Sequence, residues 1–179
     1  MRYQYTSKGY LNSLKNNNTL SGVKLLLIIN ITIFMLMILS NSFELWMRAY
    51  FVLNPVDVCE NWKIWQCVTY LFLHSTHYIW HILGNMIGLW FLGSALESIW
   101  GKRKFLKYYF VVGIGAGFIT AIYMINFYPN VRTIGASGSI YGLLVAYAML
   151  FPNRILYIYG LIPVKAKTIA IVLGGIALF

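Results

Sequence analysis

Residues 134–151 read IGASGSIYGLLVAYAMLF, an apolar run that opens on Gly135-Ala136-Ser137-Gly138. Its length is close to the roughly 20 residues with which an α-helix crosses a bilayer. A serine among small residues at the start of such a helix has two interpretations. It belongs to a packing seam between helices, or it is a nucleophile held inside a membrane.

The composition of the whole chain indicates an integral membrane protein. Hydrophobic residues make up 60% of the 179 residues and charged residues only 10%, against about half and about a quarter in soluble domains. The net charge of +10 comes from 14 basic and 4 acidic residues. In a chain this apolar, the excess indicates membrane orientation, so we expect contact with a lipid bilayer and no nucleic-acid partner.

The apolar runs predict an all-α, polytopic membrane helix bundle with four complete transmembrane helices and part of a fifth. Residues 1–22 form a basic tail, and residues 23–179 form the membrane domain. The predicted spans cover residues 23–39, 79–96, 105–127 and 134–151. The last run, residues 168–179, would reach about 18 Å across a hydrocarbon core of about 30 Å. We therefore expect the chain to be cut within its fifth helix.

Residues 43–78 separate the first two spans and combine charged residues with many tryptophans and tyrosines. Aromatic residues beside apolar runs predict a loop or amphipathic helix at the membrane interface. This segment also contains both cysteines, Cys59 and Cys67. A disulfide between them stays open as an alternative if the segment lies outside the cytoplasm.

The distribution of basic residues predicts the orientation of the bundle. Only Arg48, Lys63 and Arg132 fall on one side of the predicted spans, and the other basic residues fall on the opposite side. The side with most Lys and Arg is the cytoplasm. The N-terminus is then cytoplasmic, residues 43–78 lie outside, and Ser137 lies near the outer end of its helix.

Glycines spaced four apart occur in three successive spans and favour close packing of helices in lipid. They supply the alternative in which Ser137 is only a small residue in a packing seam. The pairs are Gly84 and Gly88, Gly113 and Gly117, and Gly138 and Gly142.

Polar residues in the second span favour a catalytic interpretation of Ser137. His81 and Asn85 are four residues apart and share one helix face, where polar groups are costly unless they meet protein or water. A structural hydrogen bond is one alternative for His81. Another is a metal site of His74, His77 and His81, which lacks a neighbouring carboxylate or cysteine.

Acyl transfer requires a nucleophile and donors for the developing oxyanion. Ser137 is suited to attack. Its own N–H, in the first turn of a helix, has no intrahelical acceptor and is free to donate. The side chains of His81 and Asn85 are suitable further donors.

The order of these motifs resembles the rhomboid family of intramembrane serine proteases, over about residues 60–165. The resemblance rests on Trp65-Gln66, Thr69, Phe72-Leu73-His74, His81-x-x-x-Asn85, Gly93, Glu97, Gly101, Gly135-Ala136-Ser137-Gly138 and residues 161–165.

The resemblance implies a bundle of six core helices around a water-filled cavity, with residues 43–78 as a membrane-embedded hairpin. It implies Ser137 as the nucleophile, and His81, Asn85 and the Ser137 N–H as the oxyanion hole. The expected substrates are transmembrane segments of other proteins, with no cofactor and no metal. A bacterial plasma membrane is the expected location, and no substrate-binding residue is assigned.

One part of the family pattern is missing from this sequence. The family's base is a histidine on the sixth core helix, and no histidine follows His81 here. We therefore expect an intramembrane serine endopeptidase whose 179 residues alone are inactive. The alternative is a non-catalytic rhomboid-like protein that binds transmembrane clients. A transporter or channel subunit is disfavoured because no Asp, Lys or Arg stands in the middle of a predicted span, where a pathway through the membrane would need one.

Overall fold

The computed structural model describes residues 20–158 and 162–178, which form a helical bundle with one short hairpin. The nine helices of this part of the chain are α1 Gly22–Leu39, α2 Asn41–Tyr50, α3 Pro55–Cys59, α4 Gln66–Thr69, α5 Ile79–Gly88, α6 Ser94–Trp100, α7 Lys102–Phe127, α8 Ser137–Leu150 and α9 Ala166–Leu178. A 3-10 turn, Tyr70–Phe72, follows α4, and a π-helical turn, Leu89–Gly93, joins α5 to α6. The predicted all-α class is confirmed.

Two antiparallel strands, β1 Ile155–Ile158 and β2 Ile162–Lys165, precede α9. Ile155 pairs with Lys165 and Leu156 with Val164. The sequence indicated only an apolar, aromatic stretch here, because a short apolar run fits a strand and a helix equally well.

Three helical segments within the described residues are long and apolar enough to span a membrane. They are Gly22–Leu39, Ile79–Trp100 and Lys102–Phe127, and they coincide with the first three predicted spans to within a few residues. The protein is therefore an integral membrane protein.

The fourth apolar helix, α8, is shorter than the predicted span. It has 14 residues, which reach about 21 Å. Its start moves from residue 134 to Ser137 because Gly135 has a φ of +111°, outside the helical region. The Gly135 N–H also donates to the carbonyl of Tyr70 at 2.8 Å, so it belongs to the preceding loop.

Glu97 of α6 joins the beginning of α1 to the second span. Its carboxylate accepts the N–H of Gly22 at 2.6 Å and the N–H of Val23 at 2.9 Å. The first N–H groups of a helix lack intrahelical acceptors, and a negative charge there also complements the helix dipole. Lys102 of α7 donates to the carbonyl of Leu20 at 2.6 Å, so a second hydrogen bond connects the start of α1 to the same end of the bundle.

Small residues bring α7 and α8 into close contact, as the glycine spacing predicted. A methyl group at Gly113 would meet Ser139, and one at Gly142 would meet Val112. The buried Ser139 hydroxyl donates to the carbonyl of Tyr109 at 3.0 Å. Gly84 is different, because a methyl group there would meet nothing within 4 Å.

The segment between α1 and α5 is folded and packs on the bundle. Met47, Val52 and Leu73 form a buried cluster with Met37 of α1. Both cysteines of the segment are free, with Cys59 exposed and Cys67 buried, so the disulfide alternative is not realised.

Hydrogen bonds tie α2 to the loop that precedes α5. Glu44 Oε1 accepts from Thr76 Oγ1 at 2.6 Å and from Arg48 Nε at 2.8 Å. These two bonds hold the pKa of the Glu44 carboxyl below its ordinary value. The loop that leads to His81 is thereby anchored.

Candidate active site

Ser137 is the first residue of α8, and it lines a cavity of about 610 Å³ together with His81 and Asn85 of α5. The three residues that the sequence predicted for the site therefore surround one space. Ser137 is exposed, His81 is half-buried and Asn85 is buried. The other lining residues are mostly apolar or aromatic: Trp80, Gly84, Leu92, Gly138, Ile140, Tyr141, Leu144 and Leu173.

The loop before Ser137 is held by backbone hydrogen bonds that run to distant parts of the chain. Thr133 and Leu53 exchange a pair of bonds at 2.9 Å and 3.1 Å. Gly135 then bonds to Tyr70 and turns the backbone with its positive φ. These bonds fix where α8 begins and so where the serine stands.

Gly135 also allows the imidazole of His81 to approach the backbone beside the serine. A Cβ atom added at Gly135 would lie 2.6 Å from His81 Nε2, closer than real Cβ contacts. The His81 ring therefore occupies the place that any larger residue 135 would fill. This contact directs Nε2 toward the loop that carries Ser137.

Potential donors for an oxyanion converge on this end of the cavity. The N–H groups of Ser137 and Gly138 lie in the first helical turn, where no intrahelical carbonyl is available to them. Asn85 Nδ2 donates to the carbonyl of His81 at 2.6 Å. A carboxamide has two N–H hydrogens, so one of them remains for a molecule in the cavity.

His74 lies behind His81 in a fully buried position. The two rings are 5.2 Å apart between centroids and meet edge to face. Neither ring nitrogen of His74 has a hydrogen-bond partner in the part of the chain that the structure describes. Burial, and secondarily the neighbouring His81, lowers the pKa of His74 to about 4, so the ring is neutral at physiological pH.

His74, His77 and His81 do not form the metal site that the sequence left open as an alternative. His77 is exposed, whereas His74 is buried against His81. No group of three or more His, Cys, Asp or Glu side chains among residues 20–158 and 162–178 is arranged to hold a metal ion.

Backbone groups of the site were not foreseen from the sequence. The N–H of Ser75 donates to His81 Nδ1 at 3.4 Å, and the carbonyl of Tyr70 holds Gly135. No residue type signals such contacts. Tyr141, which also lines the cavity, was missed as well, but the sequence contained a signal for it. It follows Ser137 by four residues, and this helical spacing places both on one face of α8.

No base is bonded to the serine within the described residues. The side-chain hydrogen bonds of α8 there are those of Ser139 to Tyr109 and of Tyr141 to Ala170, and none involves the Ser137 hydroxyl. The arrangement thus presents a serine beside oxyanion donors, without a proton acceptor among these residues.

Comparison with known proteins finds several rhomboid proteins that are similar to this chain. The chain is 28% identical over 182 aligned positions to RHOMBOID-like protein 12, mitochondrial, of Arabidopsis thaliana, covering 94% of this chain and 52% of that protein. It is 35% identical over 82 residues to rhomboid protease GluP of Bacillus subtilis (strain 168), covering 46% and 15%. Rhomboid-like protease 3 of Toxoplasma gondii is 29% identical over 109 residues, covering 60% and 39%.

The chain spans about half or less of the length of these curated relatives. A family model described as the Rhomboid domain matches residues 61–179, which is about two thirds of the chain and includes α5 through α9. This match covers His81, Asn85 and Ser137. The chain therefore belongs to the rhomboid family.

Proposed function

We propose that this protein is an intramembrane serine endopeptidase that cleaves transmembrane segments of other membrane proteins, with Ser137 as the nucleophile. The observation that carries the proposal is that Ser137, His81 and Asn85 line a single cavity in a membrane helix bundle. Two of the similar proteins carry the word protease in their names. These similarities support the proposal, and the cavity residues provide the nucleophile and the oxyanion donors that the reaction requires.

The proposed reaction begins with attack of Ser137 Oγ on the carbonyl carbon of a peptide bond. A bond forms between Oγ and that carbon, and the carbonyl oxygen becomes an oxyanion. The Ser137 N–H, His81 Nε2 and Asn85 Nδ2 donate to it. The C–N bond then breaks, the departing amine takes up the proton lost by Oγ, and water hydrolyses the acyl-enzyme.

The proton of Oγ needs an acceptor that these residues do not supply. No histidine follows His81 in the sequence, and a serine without a base is a weak nucleophile. We propose that residues 1–179 by themselves do not cleave substrate. Residues 23–179 act as the rhomboid-like membrane domain, which provides the nucleophile and the oxyanion donors.

The lining of the cavity supports a transmembrane substrate. Apolar and aromatic side chains such as Trp80, Leu92 and Leu144 make up most of its wall, and they suit an apolar segment. The polar residues are concentrated where a peptide carbonyl would react.

We propose that the N-terminus is cytoplasmic and that the cavity opens to the outer side of a bacterial plasma membrane.

A second candidate function is binding of transmembrane clients without cleavage. The mostly apolar and aromatic lining of the cavity favours it, because such a wall suits a bound transmembrane segment whether or not the segment is cleaved. The grouping of Ser137 with two donor side chains favours the peptidase, because binding alone requires no such set.

Labelling by a serine-directed fluorophosphonate distinguishes the two functions. The protein translated from the whole open reading frame is treated with the probe in membranes, and the modified residue is identified by mass spectrometry. The peptidase predicts labelling at Ser137 that the Ser137→Ala variant loses. A folded, unlabelled protein that retains transmembrane peptides would instead establish the binding function.

A further inference from the structure

The two nitrogens of His81 face different parts of the protein. Nε2 faces the backbone of Gly135, where an added Cβ would lie 2.6 Å away. Nδ1 faces the opposite direction and accepts the N–H of Ser75 at 3.4 Å. The ring is therefore fixed between the loop that precedes α5 and the loop that precedes α8.

The contact with Ser75 determines which nitrogen of His81 can carry a proton. A neutral imidazole has one N–H donor and one acceptor nitrogen. The backbone N–H of Ser75 is always a donor, so Nδ1 must present its lone pair. The hydrogen of the neutral ring is then on Nε2, the nitrogen beside the Ser137 loop.

His74 restrains the ring from a second side. It is fully buried and meets His81 edge to face at 5.2 Å. Both of its nitrogens lack hydrogen-bond partners among the described residues, which costs stability for a buried polar group. The His74 side chain therefore acts here through packing, and its ring contact with His81 restrains the orientation of the imidazole.

We propose that His74 and the backbone N–H of Ser75 are positioning groups for His81. The His74 ring packs against the imidazole and restrains its orientation, and the Ser75 N–H donates to Nδ1 and so keeps the ring proton on Nε2. The inference rests on the proposed function, in which the Nε2–H of His81 donates to the oxyanion. A donor that is already oriented requires no rearrangement when charge develops. Neither Ser75 nor His74 needs to touch the substrate to have this effect.

The tautomer of His81 can be measured directly by nitrogen NMR. The chain contains three histidines, so 15N-histidine labelling of residues 1–179 in lipid nanodiscs gives few signals, and His77→Gln and His74→Phe assign them. We expect His81 to show a protonated Nε2 and an unprotonated Nδ1 at neutral pH. A proton on Nδ1, or signals averaged between the two tautomers, would overturn the proposal.

Two pairs of variants test the two restraints. Ser75→Pro removes the N–H, and we expect the minor tautomer of His81 to rise several-fold, whereas Ser75→Ala keeps the N–H and leaves the spectrum unchanged. His74→Ala removes the packing ring and is expected to broaden the His81 signals, whereas His74→Phe keeps the ring and the sharp signals. Equal spectra within each pair of folded variants would contradict the proposal.

If circular dichroism shows that Ser75→Pro does not fold, the tautomer of His81 in the wild-type protein tests the Ser75 restraint and the His74 pair tests the packing restraint. None of these measurements depends on catalysis. An unlabelled Ser137 in the fluorophosphonate experiment would refute the peptidase and leave the tautomer result standing. A wrong tautomer would refute the positioning role and leave the labelling result standing.

Discussion

Gly135 illustrates how a single residue determines the geometry of the candidate site. Its φ of +111° is a conformation that residues with a Cβ rarely adopt. Its missing side chain also leaves the space that the His81 ring occupies. Both requirements point to glycine at this position, so any substitution has two separate costs.

We predict that Gly135→Ala destabilises the protein by about 1–3 kcal/mol through backbone strain, and displaces His81 as well. The matched control is Gly84→Ala in the same cavity, where an added methyl group meets nothing within 4 Å. That change replaces a helical glycine and is expected to raise stability by up to about 1 kcal/mol. Unfolding of both variants in mixed detergent micelles measures the difference, and equal stabilities would contradict the strain.

The side chains of the site were predictable, whereas their backbone surroundings were not. His81 and Asn85 were singled out as polar residues four apart on one face of an apolar helix, and Ser137 by its place among small residues at the start of an apolar run. The resemblance in the order of motifs then joined the three into one candidate site. The carbonyl of Tyr70 and the N–H of Ser75 are present in every residue type, so sequence patterns contain no signal for them. Their positions depend on long-range packing of the segment between α1 and α5.

At the scale of elements, the contact between α7 and α8 fixes the helix that carries Ser137. Helices in lipid associate through close packing and hydrogen bonds rather than through the hydrophobic effect. Tyr70 donates to the carbonyl of Gly113 at 2.8 Å, and Tyr108 donates to the carbonyl of Gly142 at 3.0 Å. Small residues expose these carbonyls to side chains of neighbouring elements.

Two glycines of α7 provide a matched test of this contact. Gly113→Ala would place a methyl group against Ser139 and 2.9 Å and 3.0 Å from the methyl carbons of Leu71. We expect a loss of about 1–3 kcal/mol from overpacking. Gly115→Ala meets nothing within 4 Å and is expected to be neutral or stabilising, because alanine is the better helix former. Thermal unfolding that ranks the two variants in the opposite order would refute the close packing of α7 against α8.

Hydropathy predicted the long helices of this bundle. A segment that crosses the bilayer must satisfy its backbone hydrogen bonds internally, so it forms a helix, and such a helix is visible in the sequence as a long apolar run. It did not predict the start of α8, where Gly135 bonds outside the helix. It also did not reveal strands β1 and β2, whose four-residue runs are too short for a periodic signal.

At the scale of the whole molecule, the asymmetry of charge determines the expected orientation in the membrane. Among the four acidic residues, Glu97 lies at the end of the bundle where α1 begins, bonded to Gly22 and Val23. The other three, Glu44, Asp57 and Glu60, lie in the segment between α1 and α5. The positive-inside rule counts Lys and Arg rather than net charge. Lys102, Arg103 and Lys104 lie near the first end, whereas Arg48 and Lys63 are the basic residues of the segment between α1 and α5, so we expect the first end in the cytoplasm and the second outside.

The native cysteines test this orientation. Cys59 is exposed and Cys67 is buried, so a membrane-impermeant maleimide added to intact cells should label Cys59 alone. Cys59→Ser should abolish labelling. In that background Ser98→Cys, at an exposed position beside Glu97, should react only after the cells are permeabilised. Labelling of Ser98→Cys in intact cells would reverse the proposed orientation.

Cleavage of a transmembrane substrate in proteoliposomes by the protein translated from the whole open reading frame tests the central claim, that Ser137 is a nucleophile with His81 and Asn85 as donors. We predict cleavage that Ser137→Ala abolishes and that Ser98→Ala leaves intact, because Ser98 is exposed and does not line the cavity. His81→Ala or Asn85→Ala should slow it by about 10²–10³-fold. Cleavage that persists in Ser137→Ala, or no cleavage by the folded wild-type protein, would contradict the account.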